Sequence, residues 1–101
     1  MSQPSDSLTI AAAGLRAQSA RMRIIAENLA NASSTAREPG GDPYRRQIPV
    51  FEAELDRQTG LELVRMDRVS ADQSEFELVY EPGHPAADAE GYVRYPNVNT
   101  L

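Results

Sequence analysis

The sequence predicts an α+β fold: a long N-terminal amphipathic helix followed by a small, loop-rich antiparallel β domain. Three observations carry that reading. Leu8, Ala12, Leu15, Ser19, Met22, Ala26 and Leu29 recur at alternating spacings of four and three residues, the a/d pattern of a helix that packs along its length on a partner helix. Residues 33–43, SSTAREPGGDP, then interrupt the pattern with a Pro-Gly-Gly-Asp-Pro turn cluster. Beyond it the apolar period shortens to two, in brief segments bounded by further proline and glycine.

Taken in order, residues 1–7 read as a disordered N-terminal segment. Pro4 ends any earlier helix there, and Ser5, Asp6 or Ser7 offers an N-cap oxygen. The helix follows over residues 8–30, rich in alanine, leucine and arginine, and Asn31 closes it. Gly14 within it costs roughly 1 kcal/mol relative to alanine; a tolerated glycine and the close approach of another backbone are both open. Asn31 suits a helix C-terminus that needs a left-handed residue, so a local cap and a contact to a neighbour are equally open. Asn28, an amide near the end of an apolar seam, reads as an inter-helix contact that fixes register.

Residues 32–43 form a loop, and residues 44–101 the small β domain. A first strand over 44–55 places Phe51, Ala53 and Leu55 on one face, with Pro49 confining it to an edge. Residues 56–60 are a turn, and 61–69 pair back as a hairpin. Residues 75–80 alternate, with Phe76, Leu78 and Tyr80 inward and Glu75 and Glu77 outward. A loop over 81–91 leads to a last strand over 92–95, and the expected core is Phe51, Phe76, Leu78, Tyr80 and Val93. Tyr44, Tyr80, Tyr92 and Tyr95 read as a small aromatic core with its hydroxyls at the surface.

Composition excludes several function classes. The 101 residues carry a net charge of −5, which argues against a nucleic-acid partner, since phosphate binding needs a basic surface. Residues 1–50 hold six arginines against four acidic residues, a balance of +2, whereas residues 51–91 hold three against eleven, a balance of −8. Such polarity suits stacked subunits and equally suits an ordinary solvated acidic face. Lysine is absent, an effect assigned to a GC-rich genome. Without cysteine there is no disulfide, iron–sulfur or thiolate zinc site. No apolar run approaches the roughly 18 residues of a membrane span. Arg16, Arg21 and Arg23 make the helix basic, but its apolar face lacks tryptophan and phenylalanine, so helix packing is favoured over membrane insertion. The opening MSQPSDS has neither the basic nor the apolar region of a cleavable signal peptide.

No catalytic, cofactor or metal site is expected. His84 is the only histidine, and one imidazole with scattered carboxylates does not make a metal centre. Ser33 and Ser34 have no local base, and Gly40-Gly41 lies between prolines rather than between a strand and a helix. A hydrolase built on His84 and Asp88 is the weakest reading, and no small-molecule substrate is indicated.

Three segments point to a family. Residues 26–33, AENLANAS, with Thr35 after them, resemble the Asn-Leu-Ala-Asn signature near the N-terminus of flagellar rod and hook proteins. Pro43-Tyr44-Arg45-Arg46 leading into Val50-Phe51-Glu52 is the second anchor. The third and most specific is residues 78–99, LVYEPGHPAADAEGYVRYPNVN, similar throughout to the central signature of the proximal-rod members, the FlgC type. The resemblance implies a non-catalytic subunit of the flagellar basal-body rod, with residues 8–31 as its axial helix. It also implies export through the flagellar type III apparatus without a cleaved signal, a place in the periplasmic rod, and packing against other rod proteins and copies of itself. A C-terminal helix pairing with the first is expected in such proteins after the Pro-Asn-Val segment, so this chain is read as lacking it. Leu8, Leu15, Met22, Asn28, Leu29 and Asn31 are the expected assembly interface. The alternative is a cytoplasmic adaptor whose helix captures a helix of another protein.

Overall fold

In the computed structural model, which describes residues 4–100, the first helix, α1, spans Pro4–Ala30. It begins four residues earlier than predicted, so the expectation of disorder over residues 1–7 fails for residues 4–7; the first three lie outside the described residues. Proline explains the shift. Its fixed φ suits the first helical turn, where a missing N–H loses no partner. Asp6 also lies in that turn, where a carboxylate meets the positive end of the helix dipole, and Thr9 Oγ1 donates to the Ser5 carbonyl at 2.8 Å. At 27 residues the helix is about 40 Å long.

Chain packing divides into two units, one of residues 4–25 with Ile48–Ser70, the other of Ala26–Gln47 with residues 71–100. The first holds most of α1 and a hairpin of β1 (Gln47–Leu55) and β2 (Glu62–Ala71). The predicted turn at 56–60 closes it. Asp56 N–H donates to the Leu61 carbonyl at 2.7 Å, its carboxylate accepts from Gln58 N–H and Thr59 Oγ1, and Gly60 takes a φ of 74°. Ala13, Ala17 and Ile24 are buried on the helix. A cleft of about 430 Å³ separates Ala13, Ala17 and Ala20 from Leu55, Leu63, Val64 and Met66 of the hairpin. Phe51 is only half-buried, Ala53 exposed and Leu55 57 % exposed, so the expected inward face of β1 is not a closed core. Arg65 spans Glu52 and Glu54 across the strands and pairs with Asp67 on its own, holding the outer face of the ribbon by charge.

The second unit carries β3 (Glu77–Tyr80) and β4 (Tyr92–Tyr95), antiparallel with Val79 opposite Val93 and Tyr80 opposite Tyr92. The strands therefore form two separate two-stranded sheets rather than one β domain. The predicted phase of residues 75–80 is also wrong. Val93 is fully buried and its partner Val79 half-buried, whereas Leu78 and Tyr80 are 61 % and 63 % exposed. With a period of two, one residue of slip exchanges the faces. Phe76 is not in the strand at all; the guanidinium of Arg45 lies over its ring, 4.1 Å from the centroid, and this cation–π contact shields it instead of a core. Tyr80 and Tyr92 meet edge to face on the outer side, ring centroids 5.3 Å apart.

Gly91 sets the return into β4. Its φ is 91°, and a Cβ there would stand 2.8 Å from the Tyr80 ring and 3.2 Å from Pro82 Cβ. Gly91→Ala is expected to cost about 2 kcal/mol through the left-handed backbone and the forced ring shift. Gly60→Ala has a similar φ of 74° but open space around it and should cost about 1 kcal/mol. Urea denaturation of the two variants checks the difference; equal costs would mean the Tyr80 ring moves aside freely.

Candidate functional site

Two polar clamps and one exposed apolar stripe stand out among the described residues. Leu8, Leu15 and Met22 of the first unit are 72 %, 70 % and 69 % exposed. At about 100° per residue they lie on the side of α1 roughly opposite Ala13, Ala17 and Ile24. The helix thus turns Ala13, Ala17 and Ile24 to its own unit and Leu8, Leu15 and Met22 outward. Leu29, in the part of α1 that belongs to the second unit, continues the seven-residue spacing and is 53 % exposed. A strict seven-residue repeat drifts by about 20° per heptad on a straight helix, so a partner helix following it winds left-handed. Gly14 has no atom within 4 Å of where its Cβ would be; within the chain it is a tolerated glycine.

Asn28 is placed otherwise. It is 8 % exposed, and its amide is bonded through both nitrogen and oxygen inside the second unit. Nδ2 donates to the Gln47 carbonyl at 2.9 Å, while Oδ1 accepts from Gln47 N–H at 2.9 Å and from the Tyr44 hydroxyl at 2.8 Å. The expected inter-helix contact finds this side chain already committed to the start of β1, because a buried amide takes the first backbone edge that matches both its donor and its acceptor. Burial, and secondarily the charge of Glu27, pushes the Tyr44 hydroxyl above its ordinary pKa. Asn31 is a local cap: its Nδ2 donates to the Glu27 carbonyl at 2.9 Å and its Oδ1 accepts from Ser34 Oγ at 3.0 Å. No described non-glycine residue has a positive φ, so the cap is made by the side chain and not by a left-handed turn.

A second amide clamp went unread in the sequence. Asn97 Oδ1 accepts from Arg46 N–H at 2.8 Å, and its Nδ2 donates to the Asp72 carbonyl at 3.0 Å and to the Ser74 carbonyl and hydroxyl at 3.2 and 3.0 Å. Arg45 Nη1 reaches the same two carbonyls, and Arg46 Nε pairs with the Asp72 carboxylate at 2.9 Å. The Ser74 backbone N–H, and then Arg46, hold the Asp72 carboxyl below its ordinary 3.8. A depressed carboxylate stabilises the fold above that value, and the contribution is lost as pH falls through the lower folded one.

The hydrolase pair is taken up by loop structure. His84 Nδ1 accepts from Ala86 N–H at 3.0 Å, and Asp88 Oδ1 accepts from Glu90 and Tyr92 N–H at 2.9 and 3.0 Å. Tyr95 donates to Glu81, a bond that, followed by burial, raises the tyrosine pKa. Among the described residues no group of three His, Cys, Asp or Glu is disposed to hold a metal ion, and no helix is long and apolar enough to cross a membrane.

Comparison with known proteins is decisive. The chain matches no protein-family model. It is 50 % identical over 92 residues to the flagellar basal-body rod protein FlgC of Agrobacterium fabrum, covering 91 % of this chain and 66 % of that protein. Against FlgC of Salmonella typhimurium identity is 44 % over 92 residues, with 91 % and 68 % covered; against FlgC of Aquifex aeolicus it is 40 % over 96 residues, with 95 % and 70 % covered. The chain spans about two thirds of the length of these curated relatives. Identity of this extent over nine tenths of the chain places it in the family of flagellar basal-body rod proteins FlgC.

Proposed function

We propose that this chain is a structural subunit of the flagellar basal-body rod and that the outward stripe of α1 is its assembly face. The stripe is the observation that supports this reading: large apolar side chains at seven-residue spacing, exposed along a helix, in a member of a rod-protein family. Burying such a side chain is worth about 1.5–3 kcal/mol, so the four positions supply on the order of 6 kcal/mol towards association before its entropic cost. Leu8, Leu15, Met22 and Leu29 make the contact; Asn28 and Asn31 shape the helix end that presents it. The partners are helices of other rod subunits and copies of this chain, in the periplasm. Export runs through the flagellar type III apparatus without a cleaved signal, and the subunit catalyses nothing. A cytoplasmic adaptor has no support, since the relatives are rod proteins.

An epitope-tagged whole protein expressed from its own locus is expected to co-purify with detergent-extracted basal bodies and to resist extraction as the rod does. Recovery only in the cytosolic fraction, in a strain that swims, would overturn the reading.

A further inference from the structure

We infer that Asn97 is a positioning residue that fixes the course of the chain leaving β4 against the last turn of α1, with Asn28 as its counterpart across one short backbone strip. All the groups concerned lie in the second unit. The backbone at Arg46 and Gln47 is the strip. From the helix side, Asn28 takes Gln47 N–H and C=O; from the other side, Asn97 takes Arg46 N–H. Adjacent amide groups are thus held by two asparagines, one in α1 and one just past β4. Asn97 is also tied to Asp72 and Ser74, whose carbonyls Arg45 shares. Asn97 therefore joins three segments distant in sequence: the start of β1, the residues after β2 and the residues after β4.

The chemistry at position 97 is specific. The site presents one N–H donor and three oxygen acceptors, and a primary amide alone offers both an acceptor and donors on one short side chain. Aspartate keeps the bond from Arg46 N–H but faces the two carbonyls with a charge and no donor. Alanine leaves Arg46 N–H and the Ser74 hydroxyl without this partner and the two carbonyls with Arg45 alone. What the clamp transmits is direction: residues 98–100 leave β4 at an angle set by Asn97, relative to a helix end set by Asn28. For the proposed rod subunit, on which the functional part of this inference rests, that angle sets how chain leaving β4 is presented beside the end of α1, within the second unit.

The chain contains no cysteine, so spin labels can be placed at will. Ala30→Cys and Thr100→Cys, both at exposed positions of the second unit, report the relevant distance in the full chain by pulsed electron paramagnetic resonance. A narrow distribution is expected with Asn97 present and a broad one in both Asn97→Ala and Asn97→Asp. The Arg46 amide should exchange with solvent about tenfold faster in Asn97→Ala, while Val79 and Val93 amides stay protected. If Asn97→Ala loses that β3–β4 protection, Ser74→Ala, which removes one of the four bonds, takes its place and should broaden the distribution less. An unchanged distribution in Asn97→Asp and in whichever of the other two variants stays folded overturns the positioning role. A broadened distribution in cells that swim normally overturns its functional consequence, leaving the rod reading to stand on basal-body recovery.

Discussion

Changing Leu15 and Met22 together to aspartate is expected to abolish swimming in cells that depend on this chain, while the purified protein stays folded. Both side chains are about 70 % exposed, so the chain's own core loses almost nothing by their removal. The direct penalty is helix propensity, about 0.5 kcal/mol at each position. At an interface the balance is different. Two carboxylates replace two apolar anchors, and burying an unpaired charge costs several kcal/mol against a gain of similar size now forfeited. Circular dichroism should show the same helix content as the parent, and motility agar should show no swarm. Ala13→Asp is the contrasting variant: Ala13 is 4 % exposed on the opposite side of the helix, and a carboxylate there should cost the fold itself. Normal swimming with the double variant stably expressed would show that the stripe faces solvent in the rod as it does in the isolated chain.

The helix was legible because its signal is long. Three heptads of a/d spacing outweigh any single residue, and α1 departs from the reading only at its start, where proline was taken for a terminator and is in fact a first-turn residue. The stripe was legible for the same reason, since Leu8, Leu15, Met22 and Leu29 differ in size from the alanines behind them. The existence of four strands and the 56–60 turn could be read from turn chemistry. Their faces could not. In the four residues Glu77-Leu78-Val79-Tyr80, two apolar side chains on one face compete with one on the other, and composition favours the wrong pair. Val93 decides the matter by lying opposite Val79, and that pairing is a long-range fact with no local signature.

The amide clamps mark the same limit. Asn28 is an asparagine beside an apolar seam, and nothing in the spacing distinguishes an amide that meets another helix from one that meets Gln47, nineteen residues away. Tyr44 and Asn97 gave no periodic signal either, because each works through one hydrogen-bonded contact set by loop closure. Division of the chain into a helix, a loop and a β domain followed the order of elements, whereas packing assigns the end of α1 to the unit that also holds β3 and β4.

Asn28→Ala is expected to destabilise the protein by about 3 kcal/mol, the largest loss for any single polar side chain here. Alanine would leave the Gln47 N–H, the Gln47 carbonyl and the Tyr44 hydroxyl without the partners they have at 2.8–2.9 Å. An unsatisfied buried group costs about 1–3 kcal/mol; the half-buried tyrosine can turn to water, and alanine returns roughly 0.6 kcal/mol of helix propensity. The backbone pair of Gln47 carries the remainder. Tyr44→Phe removes one bond and leaves Asn28 Oδ1 with the other, so it should cost about 1 kcal/mol. Combined, the two changes should cost about 1 kcal/mol less than their sum, because the second removes a bond already lost. Asn31→Ala, whose two bonds are local and whose side chain water can reach, should cost about 1 kcal/mol or less. Urea denaturation measures all four. Strict additivity of Asn28→Ala and Tyr44→Phe would mean the hydroxyl and the amide are not bonded in solution, and an Asn28→Ala cost near that of Asn31→Ala would return Asn28 to the role of an inter-helix contact. With the expected values, a motility defect in Asn28→Ala cells arises from less folded subunit, and it should recede at lower growth temperature, whereas the defect of the Leu15 and Met22 double variant should not.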